Sequence, residues 1–268
     1  MQEVILLTTS YVTGIPGSWI KWINVMSLKL NPSKTEFMIM GSKTKLKSRT
    51  TDKLTINDVD FNLRDSITSL GCILDKNLSL KAWISNTVRK CNYALHSIYK
   101  IGRYLSASNR KTLVNALVLS KIDYMCGLLA NLPKTEINKL EKIQREGIRC
   151  IYNLRKRDSI RRHYKALGWN TVEHKIKIRC NSIIHKAISG QGPKYIQEMF
   201  SNEVQITGVT TRRGTDRLNI LEQRPLSEAH RRSIRIHGPK LYNDLPNKVK
   251  AKKLAAFKSE LKNLYKNT

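Results

Sequence analysis

Three groupings in this chain have residue types and spacings that could do chemistry. The first is Asp58-Val59-Asp60, a D-x-D whose two carboxylates could share a divalent cation. Its neighbours argue against that use. Leu54-Thr55-Ile56 and Val59-Asp60-Phe61 alternate about Asn57-Asp58, which is the pattern of a β-hairpin, so the acids read as a solvated turn. The second is Lys34, a cation standing just after the helix-ending pair Asn31-Pro32, where a phosphate or plain water could receive it. The third is a set of cations near the middle of the chain. Lys142, Arg145 and Arg149 fall within about sixty degrees of one another on a helix at ~100° per residue, and Arg155, Lys156 and Arg157 follow directly. Such a face suits a phosphate backbone or acidic protein surface.

Charge supports the third grouping. The chain has 268 residues, with 49 Lys and Arg against 20 Asp and Glu, for a formal net charge of +29. Residues 1 to 75 hold nine basic and seven acidic residues, so +27 of the excess lies beyond them. A polyanionic partner is expected there, because Lys and Arg release counterions condensed on phosphates. A hydrophobic share of 40% is enough to build a core.

Other chemistries find little support. Cys72, Cys91, Cys126, Cys150 and Cys180 form no C-x-x-C pair and are odd in number, so neither disulfides nor a zinc site is expected, and the thiols read as reduced and buried. The six histidines are scattered. The most apolar stretch, residues 113 to 129, is broken by Asn115, Ser120, Lys121 and Asp123 and falls short of the ~20 apolar residues of a membrane span. Residues 4 to 7 are too short for a signal peptide. A nuclear or cytoplasmic location, away from membranes, is expected.

The elements that must position these groups follow from periodicity. Residues 19 to 28 suit a short helix, Phe37 to Met40 a buried strand, and Ile67 to Leu74 another strand in which Gly71 marks a close backbone approach. After Ser79 the period becomes helical. Ile84, Val88, Cys91, Leu95 and Ile98 make one stripe of a helix ending near Gly102. A second helix is expected from about Asn109 to Ala130, apolar on most sides and therefore central. A third follows Pro133, with Ile137, Leu140, Gln144, Ile148 and Ile151 inward. Further helices are expected at 160 to 167, 172 to 189 and 255 to 265, with loops and small strands over 201 to 239. The fold class is α+β, mainly α: a small sheet, then a helical bundle, then a basic helical and loop extension.

Several segments together resemble a known family. Trp19-Ile20-Lys21-Trp22, L-N-P-S-K-T-E at 30 to 36, L-G-C-I-L-D at 70 to 75, L-P-K-T-E-I-N-K-L-E-K-I-Q at 132 to 144 and H-G-P-K-L-Y-N-D-L-P at 237 to 246 stand in the order found in the reverse transcriptases of LINE-type, jockey-like non-LTR retrotransposons. The resemblance implies an unmatched segment at 1 to 18, the end of a polymerase palm at 19 to 78, a helical thumb at 79 to 154 and a basic extension at 155 to 268. It implies a phosphate-proximal role for Lys34 and a primer-grip loop at Gly71 and Cys72, with RNA or DNA as partner. Trp83 departs from the histidine usual in the family.

A complete enzyme of this family holds Mg²⁺ on palm aspartates that would precede Trp19, where residues 1 to 18 offer one acid, Glu3. Tyr11-Val12-Thr13-Gly14 lacks the aspartates of the family's Tyr-x-Asp-Asp turn. This chain alone is therefore expected not to polymerise and to need no cofactor, unless another chain supplies fingers and palm. The alternative is a helical protein-interaction or ribonucleoprotein module with a basic surface.

Overall fold

The computed structural model describes residues 4–8, 25–26, 36–41, 46, 53–56, 59–130, 132–201, 220, 222–225, 230–231 and 233–266. The fold is α+β and predominantly helical. The chain divides into two compact units, Met1–Trp83 and Ile84–Thr268. Residues on both sides of position 154 belong to the second unit.

Among the described residues the first unit has three pairs of strands. β1 (Val4–Thr8) pairs in parallel with β2 (Glu36–Met40). Phe37 and Met38 of β2 are completely buried. β3 (Lys53–Ile56) and β4 (Val59–Asn62) form the antiparallel hairpin that the alternation about Asn57-Asp58 predicts, with Ile56 opposite Val59. β5 (Ser66–Ser69) and β6 (Cys72–Asp75) form a second hairpin. The single strand expected over Ile67 to Leu74 is thus two strands. Leu70 and Gly71 both have positive φ, 49° and 76°, which is the signature of a type I′ turn and reverses the chain in two residues. A side-chain carbon on Gly71 would meet open space. Its glycine therefore serves the turn and not a close backbone approach. The helix expected over 19 to 28 lies, apart from Val25 and Met26, outside the described residues.

Asp75 ends the second hairpin and prepares the first helix. Its carboxylate accepts the backbone N–H groups of Ser79 and Leu80 at 3.0 and 2.9 Å. Helix α1 (Lys81–Ile101) follows. Its expected stripe is inward: Ile84, Cys91, Leu95 and Ile98 are all buried and Val88 is half-buried.

The expected second helix is broken into α2 (Ala107–Val114), a π-helical segment (Asn115–Leu119), α3 (Ser120–Asp123) and a 3₁₀ turn (Cys126–Leu128). A π segment displaces the regular ladder of backbone hydrogen bonds, so carbonyls near it need other donors. A buried thiol supplies one, Cys91 donating to the Val118 carbonyl, and in the pieces that follow Cys126 donates to the Ile122 carbonyl and Cys180 to that of Gly127. This region is not the centre of the unit either, since Leu117, Tyr124 and Leu128 are exposed.

The centre is α6 (Val172–Ile188), packed against the turn at Cys126–Leu128, α4 (Lys134–Tyr152), α7 (Lys194–Ser201), α8 (Ile234–Asn243) and α10 (Leu254–Lys266). The short helices α5 (Arg161–Leu167) and α9 (Asn247–Lys250) complete the described set. Helix α8 falls partly in the stretch expected to be loop and small strand. Gly238 and Pro239 obscure it in the sequence, being poor helix formers. The glycine is explained by packing: a Cβ there would stand 2.6 Å from Ile184 Cδ1 of α6.

Around α6 lies a core of Ile184, Phe200, Ile220, Tyr242, Leu245 and Phe257, among others. Burial of each large apolar side chain contributes about 1.5–3 kcal/mol. His185 is buried in the same region, stacked on Phe257 with ring centroids 3.9 Å apart.

Candidate nucleic-acid interface

The basic face begins on α4. Pro133 precedes its first residue, and the inward positions Leu140, Gln144, Ile148 and Ile151 are buried while Ile137 is half-buried. The buried face also takes in Glu136 and Glu141, which an apolar stripe does not include. Glu136 is paired with Lys139 at 2.8 Å. Glu141 accepts hydrogen bonds from the first amides of α6, so both acids are occupied within the fold.

The expected cations divide. Lys142 and Arg145 are exposed. Arg149 is only 15% exposed and its guanidinium donates to Glu146 at 2.9 Å, which withdraws much of its charge from any partner. Arg155, Lys156 and Arg157 are exposed beyond the helix end. Their position is set by Asn153, which closes α4 in the left-handed conformation at φ 53°, and by Asp158, whose carboxylate accepts the Arg155 N–H at 2.7 Å. The charges of these side chains are left outward by a turn that the backbone and Asp158 close.

Beyond the turn, α5 adds Arg161, Arg162 and Lys165, all exposed. With Leu154, Asp158 and Ser159 they line an open cleft of about 750 Å³. The rings of Tyr152 and His163 lie 4.3 Å apart, which ties the end of α4 to α5. Burial pushes the Tyr164 phenol up to about 12, with Glu141 adding to the rise and Arg145 opposing it, so Arg145 stands close to α5. The three α5 cations extend the set that the sequence singles out. The sequence does signal them, since Arg161 and Lys165 are four apart and face the same side of a helix.

The other expected site residues lie elsewhere. Lys34 and Asp58 fall outside the described residues. Gly71 is exposed at the hairpin tip, while Cys72 is buried and its thiol is pushed up to about 11 by burial, with Asp75 adding to the rise. Among the described residues no group of three His, Cys, Asp or Glu side chains could hold a metal ion. Among the same residues no helix is long and apolar enough to cross a membrane.

No protein-family model, curated protein or solved structure matches this chain.

Proposed function

We propose that this chain is the rear part of a polymerase of the LINE-type retrotransposon kind, and that its helical unit binds RNA or DNA through the phosphate backbone. The observation that carries the binding part of this reading is one exposed basic set on adjoining elements: Lys142 and Arg145 on α4, Arg155 to Arg157 in the turn, and Arg161, Arg162 and Lys165 along the cleft. Asp158 is the one acid among the cleft-lining residues, and its carboxylate already accepts the Arg155 N–H. Cations in such number on exposed positions suit contacts that position a nucleic acid without reading its bases. Polymerisation by this chain alone is not part of the proposal.

The test is fluorescence anisotropy with a labelled duplex across a salt series. Affinity should fall with salt at a log–log slope of about −0.9 per phosphate neutralised. The double reversal Arg145→Glu/Arg161→Glu should weaken binding to unrelated sequences alike and reduce the slope by about one per lost contact. An unchanged slope and affinity in a variant that folds normally by circular dichroism overturns the assignment. Equal competition by polyglutamate and nucleic acid would instead favour an acidic protein partner.

A further inference from the structure

From Lys76 to Ile122 the chain has no Asp or Glu and carries nine Lys and Arg. Helix α1 lies within this span. Because Ile84, Cys91, Leu95 and Ile98 turn inward, the opposite side of the helix is fixed by geometry, and Tyr93 stands at its middle, 70% exposed. At ~100° per residue, Arg89, Lys90, His96 and Lys100 fall within about sixty degrees of it. All four are exposed. One 3₁₀ turn further, Tyr104 is 75% exposed, with the Arg103 guanidinium 4.9 Å from its ring centre. Tyr99 differs, since its hydroxyl donates to the Glu146 carbonyl and so has a role in the fold.

We infer that this face of α1, together with the 3₁₀ turn that follows it, is a stacking platform for single-stranded nucleic acid, with Tyr93 and Tyr104 receiving unpaired bases and the flanking Lys and Arg receiving the backbone. Two large aromatic rings in water contribute nothing to the core, and each offers a π-face to a base. The span itself adds no acid that would repel a phosphate chain. A duplex keeps its bases stacked inside and has no use for such rings, whereas strand-binding surfaces combine aromatic rings with cations. The inference rests on the nucleic-acid reading above but uses a separate set of residues and a different contact.

The experiment compares a twelve-nucleotide oligothymidine with a duplex of equal length, both labelled, against the full chain. Tyr93→Ala/Tyr104→Ala should weaken oligothymidine binding by about tenfold or more and leave duplex binding unchanged. Tyr93→Phe/Tyr104→Phe should retain oligothymidine binding, because stacking needs the ring and not the hydroxyl. Unchanged oligothymidine affinity in the alanine variant, an equal loss for both probes, or a loss in the phenylalanine variant overturns the platform. In the first of these cases a duplex affinity that still falls with Arg145→Glu/Arg161→Glu leaves the phosphate-backbone reading standing. If the unaltered chain binds neither probe, both readings fall. Circular dichroism checks the fold, which neither exposed ring supports.

Discussion

The carboxylate of Glu141, on α4, accepts the backbone N–H of Val172 at 2.6 Å, the first residue of α6. The same oxygen accepts Glu173 N–H at 3.3 Å, and Thr171 Oγ1 accepts His174 N–H at 3.2 Å. Three of the four amides that a helix start leaves unpaired are thus satisfied, two of them by a neighbouring helix. A negative charge also suits the positive end of the helix dipole.

Glu141→Ala should therefore lower stability by about 1.5–3 kcal/mol, the usual range for a hydrogen bond to a charged group, since it leaves buried N–H groups unpaired. Thr171→Ala should cost about 1 kcal/mol. Urea unfolding followed by circular dichroism measures both, and a Glu141 variant as stable as the parent would show that the cap contributes little.

Acid should destabilise the helical unit. His185 Nε2 faces the Lys252 carbonyl at 3.0 Å and so must carry the hydrogen, which leaves Nδ1 to accept from the Tyr242 hydroxyl at 3.1 Å. Burial holds the His185 pKa below its ordinary 6.5, and burial likewise lowers His174 and His237, helped by Lys177 and, for His237, Lys240. The unfolded chain then takes up protons before the folded one, so stability is full above about pH 6.5 and is lost as pH falls through that value toward the lowered ones. Unfolding free energies at successive pH values should show this fall. His185→Phe should reduce its steepness without removing it, because two other histidines remain.

The five thiols should be unreactive in the native chain. All are free and buried. Burial raises Cys91 and Cys150 to about 11 and Cys126 and Cys180 to about 12, so none supplies thiolate near neutrality. Ellman's reagent should react slowly before denaturation and with five thiols after it. Rapid native reaction of any one would contradict its placement.

Leu70→Asn should stabilise the second hairpin. Leu70 is 87% exposed and holds φ at 49°, a region that costs a branched residue about 1–2 kcal/mol and that asparagine tolerates. Asn-Gly is also the favoured type I′ pair. Amide hydrogen exchange across Ser66–Asp75 should slow about fivefold, the equivalent of about 1 kcal/mol, and faster exchange would count against the turn type.

Local pattern and composition determined much of this protein. The repeat of Ile84, Cys91, Leu95 and Ile98 predicts α1 because one helical period decides which side is apolar, and Asn57-Asp58 predicts a hairpin because a turn is a property of adjacent residues. The charge imbalance, and the placement of Lys142 and Arg145 on one outer face, follow from composition and helix geometry alone. Tertiary packing decided the rest. Leu70-Gly71 reads as strand until its φ angles are known, and Gly238-Pro239 reads as a break until Ile184 is seen to fill the space a Cβ would need. Arg149 looks equivalent to Arg145 on a helical wheel, yet its guanidinium turns to Glu146 and is mostly covered. Glu141 and His185 carry no sequence mark of burial, because what makes a buried polar group tolerable is a partner 31 or 57 residues away, and such partners meet only when the helices pack.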